Sequence, residues 1–141
     1  MTPYDAFVRF LMHLRIYYED TDAGGVVYHA NYLGFFERAR TEFFRLRGLS
    51  VKQLHDDGFI FPVVRVEVDF KAPAVLDDLL RIDTTLLETG RTSFTLQQQV
   101  IRQEDEKLLV AAKITLVCVA PGMKAKRLPL PLLEALNTTR D

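Results

Sequence analysis

Apolar residues recur at spacings of three and four between Asn31 and Arg47, where Tyr32, Phe35, Phe36, Ala39, Phe43 and Leu46 form one stripe. That period predicts an amphipathic helix roughly 26 Å long. Asn31 or His29 is placed to cap it, and Gly48 supplies a left-handed stop. Downstream the period changes to two. Val64, Val66, Val68 and Phe70 alternate with Arg65, Glu67, Asp69 and Lys71, which predicts a strand with one buried face and one wet or interfacial face. Further strands are predicted over 79–89, 92–103 and 107–119, separated by Gly90 and the acidic run 104–106. Connections this short forbid parallel crossovers, so the block is expected to be an antiparallel meander.

The flanking segments carry weaker signals. Residues 1–11 show no clean period and are expected to form a frayed or short helical lead-in. Residues 13–17 read as a strand, with Leu14 and Ile16 on one face and His13, Arg15 and Tyr17 on the other. From Glu19 to Gly25 regular structure breaks, because three carboxylates, a threonine and two glycines fall in seven positions. Ser50 and Gln53 have capping-box spacing and open a second, shorter helix that Gly58 ends. Pro121, Pro129 and Pro131 close the sheet region, and 132–136 can add a last helical turn. A phenylalanine-rich helix stripe needs a broad cover, and the only broad partner is the sheet. The expected architecture is α+β: one domain over 1–141 in which about five antiparallel strands wrap one long helix.

Charge and cysteine content narrow the function classes. The net charge of -1 offers no basic footprint, so nucleic-acid binding is not expected as the main task. Cys118 is the only cysteine, so neither an internal disulfide nor a multi-cysteine zinc site can form. In KITLVCVA it alternates with Ile114 and Leu116, as a buried structural thiol would. The three histidines, His13, His29 and His55, lack metal-ligand spacing, so no metal site is expected. No apolar run approaches the ~20 residues of a membrane span, and the N-terminus lacks a basic leader pattern. A cytoplasmic location is the resulting expectation.

Chemistry is most concentrated between Arg15 and Arg47. Asp22 lies in a turn after a strand, with Asp20 before it and Gly24 and Gly25 after it. The chain then enters a helix whose first N–H groups lack internal partners and carry partial positive charge. A carbonyl oxygen placed there is polarised, and a carboxylate nearby can attack it or activate water. The same pattern also serves simply as a helix cap, so the turn and the helix start are not specific in themselves.

The specificity comes from a resemblance. Arg15-Ile16, then Thr21-Asp22, then Gly25-Val26-Val27-Tyr28 resembles the motif of the 4-hydroxybenzoyl-CoA thioesterase family of hotdog-fold proteins. The longer run YYEDTDAGGVVYHANYLGFFERARTEFFR is similar to the YbgC-type acyl-CoA thioesterases, often associated with the Tol-Pal system. The likeness continues through DFKAPAVLDDLLRI, ETGRTSF and VCVAPGMKAKRLP, about residues 13 to 131.

This resemblance implies a hotdog fold and hydrolysis of an acyl-CoA without metal or redox cofactor. Asp22 matches the family's catalytic aspartate, as nucleophile or general base. The backbone N–H of His29, rather than its ring, matches the donor to the thioester carbonyl, and Tyr28 beside it is implied in substrate contact. Arg91, Thr92 and Ser93 match a segment that contacts CoA, where a guanidinium suits phosphate, and Arg127 falls near another basic CoA-contacting position. The family pairs sheets across a two-fold axis, which implies a dimer or dimer of dimers with interfacial active sites. The alternative on the same fold is a non-catalytic module that binds acyl-CoA or acyl carrier protein; it would have no use for Asp22. Glu37, on the helix, has a simpler account in an i,i+3 pair with Arg40.

Overall fold

A computed structural model describes residues 9–137 of the chain. Five strands form one sheet in the order β1-β3-β4-β5-β2, every neighbouring pair antiparallel. They are β1 (Arg9–Arg15), β2 (Val63–Phe70), β3 (Leu79–Thr89), β4 (Ser93–Arg102) and β5 (Lys107–Val117). Among the described residues three α-helices accompany them: α1 (Asn31–Leu46), α2 (Val51–Asp56) and α3 (Leu130–Leu136). The fold is an α+β hotdog, the sheet curled around α1, with Phe36, Phe43, Phe94, Leu96 and Leu109 fully buried between the layers.

The first strand starts earlier than the expected lead-in allows. Arg9 to Leu11 already pair with β3, and the ladder ends at Arg15; residues 1–8 of that lead-in lie outside the described residues. Ile16 has left the ladder but stays fully buried, its N–H donating to the Asp78 carbonyl at 2.9 Å. Tyr18–Asp20 then forms a 3-10 turn.

The meander holds for β3, β4 and β5 but not for β2. That strand pairs with β5 at the far edge, so the segment 71–78 must carry the chain across to β3. The crossing is pinned to the helix start, where the Ala74 N–H donates to the Tyr32 hydroxyl at 3.3 Å and the Ala74 carbonyl accepts from Val27. The buried face expected for β2 is also absent. Val64, Val66 and Phe70 are exposed and Val68 is only half-buried, because α1 packs under β3 and β1 and leaves this edge uncovered.

Helix α1 follows its apolar stripe with two changes. Leu46 is exposed, and Phe44 and Arg40 are buried instead. Its C-terminus closes as expected: Gly48 adopts φ +85, donating to Arg45, and Leu49 donates back to the Phe44 carbonyl. At α2 the Ser50 side chain accepts from the Gln53 N–H at 3.1 Å. Ser50→Ala is expected to cost about 1 kcal/mol of stability, measured as a shift in the urea midpoint; an unchanged midpoint would show that α2 needs no cap.

Candidate active site

Asp22 sits on a miniature hairpin. Thr21 and Val27 form a bridge, and the Asp22 N–H donates to the Val26 carbonyl at 2.8 Å. The turn closes when Gly25 donates to the Asp22 carbonyl, with Gly25 at φ +83, a conformation that excludes most side chains. The carboxylate Oδ1 accepts from the Gly24 N–H at 2.8 Å, which fixes the side chain over its own turn. Its second oxygen has no hydrogen-bond partner among the described residues, and the residue is exposed.

The hairpin's return arm feeds straight into α1. Tyr28 donates to the Asp20 carbonyl, and Val26 bridges to Val75 on the crossing segment, so both sides of the arm are held. Neither expected cap residue caps the helix. Ala30 occupies the N-cap position with no side-chain bond, and Asn31 turns instead toward Asp20, at 3.5 Å. The N–H groups of His29 and Ala30 therefore meet no acceptor among the described residues. Free, positively polarised amides at a helix start can donate to an oxygen of water or of a ligand. The His29 ring lies 4.6 Å from the Tyr28 ring and 6.4 Å from Phe70, both exposed.

The basic segments meet at the other end of the sheet. The Arg91 carbonyl accepts from Leu128 and the Thr92 carbonyl from Cys118, which brings Arg91 and Arg127 to neighbouring strands of chain. Both arginines are exposed, while Thr92 and Ser93 are half-buried. Lys126 lies in the same stretch with its Nζ 3.8 Å from the Phe59 ring. Cys118, also here, is fully buried, and burial pushes its thiol pKa up.

One chain does not unite these two groups. Asp22 follows the end of β1, where Arg15 pairs with Leu79, whereas Arg91 follows Thr89 at the opposite end of β3. Eleven residues of strand separate those ends by roughly 30 Å.

Two features were missed by the sequence reading. Phe70, expected in the core, stands beside the helix start. Arg40 does not pair with Glu37: its Nη1 donates to Gln98 Oε1 at 3.1 Å inside the core, with no carboxylate within 4 Å among the described residues. Its i+4 spacing from Phe36 on the buried stripe was the available signal. Histidines 13 and 55 are exposed, and among the described residues no cluster of three metal-ligating side chains forms. No helix there is long and apolar enough to cross a membrane.

Comparisons with known proteins identify the family and the fold. Residues 16–136 match the model of the thioesterase-like superfamily. The acyl-CoA thioester hydrolase YbgC of Escherichia coli O157:H7 is 45% identical over 82% of this chain and 87% of its own. A 1,4-dihydroxy-2-naphthoyl-CoA thioesterase from Synechocystis superposes with a TM-score of 0.86 at 29% identity, covering 91% of this chain and 95% of its own. A mutant 4-hydroxybenzoyl-CoA thioesterase, an aspartate replaced by asparagine, complexed with 4-hydroxybenzoyl-CoA, gives 0.84 at 25% identity, covering 92% and 99%. Matched along most of its length in sequence and in fold, the chain belongs to the thioesterase-like superfamily and, within it, to the YbgC-type acyl-CoA thioesterases.

Proposed function

We propose that this chain hydrolyses acyl-CoA thioesters to a free acid and CoA, with Asp22 as the reacting carboxylate and the His29 N–H as donor to the thioester carbonyl. The observation that carries the reading is the uncapped start of α1 beside the Asp22 hairpin, where a free amide and a half-free carboxylate oxygen serve one bound group. Attack at the carbonyl carbon, by Asp22 or by water that it deprotonates, forms an oxyanion facing the His29 amide. In the water route the C–S bond then breaks and the proton taken from water goes to the departing thiolate. In the direct route the C–S bond breaks to leave a mixed anhydride on Asp22, which water hydrolyses to the free acid, regenerating the carboxylate and supplying the thiolate's proton. No metal or redox cofactor enters this step.

The working unit in this proposal is a two-fold dimer joined through β2. The strand's exposed valines and open edge favour pairing with a second copy. Antiparallel pairing of β2 with its twin sets the Phe70 end of one protomer against the Val63 end of the other. Since Val63 pairs with Leu116 near the Arg91 turn, each Asp22 would face the partner's basic segment across the interface. Arg91, Thr92, Ser93 and Arg127 would then hold the CoA of a thioester that the partner's Asp22 cleaves.

Thiol release from a panel of acyl-CoAs, short, long and aromatic, together with an acyl-carrier-protein thioester, tests the reading. Release from at least one CoA thioester above the buffer rate is expected. Tight binding of the panel without release would favour a non-catalytic module instead.

A further inference from the structure

A cavity of about 240 Å³ opens between α1, α2 and the start of β2. Its walls include Phe44, Leu54, Phe61 and Phe94, and Arg40 and Glu37 also line it. The cavity opens to solvent and has room for a short acyl chain.

Arg40 is the unusual member. It is 9% exposed, yet the acceptor it meets is the neutral Gln98 amide. Gln98 is committed in turn: its Nε2 donates to the Phe36 carbonyl at 3.0 Å and to Thr84 Oγ1 at 2.9 Å. That network fixes the amide oxygen on Arg40 and leaves most of the guanidinium's five N–H donors unspent. Burial lowers the Arg40 pKa, and Glu37 acts on it only through space. The unbonded nitrogens of Arg40 are not among the fully buried unsatisfied atoms of the described residues, so they reach the cavity it lines, where water or a ligand oxygen can accept from them.

The cavity also lies where the proposed dimer needs it. Val63, at its rim, is the end of β2 that meets the partner's Phe70, beside the partner's helix start. We infer that this cavity receives the acyl group, and that Arg40 donates to an oxygen which the acyl chain carries away from the thioester, making oxygen-bearing acyl-CoAs the preferred substrate class. The inference rests on the dimeric thioesterase reading. Mainly apolar walls beside the Arg40 donors, with Glu37 and Thr41 as the other polar lining groups, match such a ligand: carbon along the chain, a hydroxyl or carboxylate at its end.

Three six-carbon thioesters separate the cases: hexanoyl-CoA, 6-hydroxyhexanoyl-CoA and adipoyl-CoA. In the unmodified protein, kcat/KM for the hydroxy or the dicarboxylic thioester is expected to exceed that for hexanoyl-CoA by about tenfold or more; which one leads tells whether the oxygen is neutral or anionic. Arg40→Met should bring the ratio near one, and Arg40→Lys should restore part of it. Gln98→Glu, which hands Arg40 an internal carboxylate, should lower the ratio too and serves if Arg40→Met does not fold. A purely structural Arg40 would shift Tm and slow all three thioesters in parallel. Equal or better use of hexanoyl-CoA by the unmodified protein, or a ratio that survives these changes, overturns the inference. Calorimetric Kd values on an Asp22→Asn background decide it independently of turnover. Selective binding without hydrolysis would sink the thioesterase reading alone, and hydrolysis without selectivity would sink this inference alone.

Discussion

Asp22→Asn is expected to lower kcat at least ~100-fold while the protein stays folded. The structure gives the reason for both halves. Asparagine keeps an oxygen that can accept from the Gly24 N–H, and the remaining hairpin bonds, Asp22 to Val26 and Gly25 to Asp22, are backbone bonds. What disappears is the charge on the second oxygen, which meets no other group among the described residues. An amide neither attacks a thioester nor deprotonates water at neutral pH. Initial rates of thiol release, beside a thermal melt, make the measurement. His29→Ala is the companion, because it deletes the ring and keeps the amide; a loss below about tenfold is expected if the backbone N–H is the working group. A folded Asp22→Asn protein with near-normal turnover would remove Asp22 from the mechanism, and a His29→Ala loss as deep as that of Asp22→Asn would move the chemistry to the imidazole.

The sequence was most legible where local periodicity coincides with tertiary burial. Phe35, Phe36, Ala39 and Phe43 announce the central helix because each is both periodic and buried. Gly48 and Ser50 announce its end and the next beginning, because left-handed backbone and side-chain capping are local chemistry. β2 shows the limit. Its strict alternation says that one face is covered but not by what, and among the described residues Val68 is half-buried against the core while Val64, Val66 and Phe70 stay exposed. The place of β2 in the sheet was hidden for a related reason: strand order depends on where residues 71–78 run, and an eight-residue connection fits a neighbour or a crossing equally well. At the site, the motif spacing singles out Asp22 and the helix start, yet it cannot say that the start is left uncapped. That depends on Asn31 turning to Asp20, a contact made only once the hairpin has closed. Arg40 was misread for the same reason, because i,i+3 spacing offers Glu37 as a partner while the fold offers Gln98.

Mixing two defective proteins should recover activity that neither has alone. In the proposed dimer each site takes Asp22 from one protomer and Arg91 from the other, since about 30 Å of β3 separates them within a chain. Asp22→Asn removes the reacting carboxylate from its own protomer's site. A double change, Arg91→Ala with Arg127→Ala, removes the phosphate-binding guanidinium groups from the partner's site and should raise KM by tenfold or more, about the worth of charge-assisted bonds to phosphate. A mixed dimer then holds one site with both lesions and one with neither. After denaturation and renaturation together in equal amounts, half the dimers are mixed, and about one quarter of unmodified activity is expected at low substrate concentration. Sedimentation at micromolar concentration checks that the species is a dimer or larger. If each site were instead complete within one chain, every site in the mixture would carry one lesion, and activity would equal the average of the two parents. That average, or a monomer in the centrifuge, would refute the interfacial site. Recovery to a quarter would tie the open β2 edge to catalysis: the edge that the described residues leave unpaired would be the means by which the Asp22 end of one sheet reaches the Arg91 end of the next.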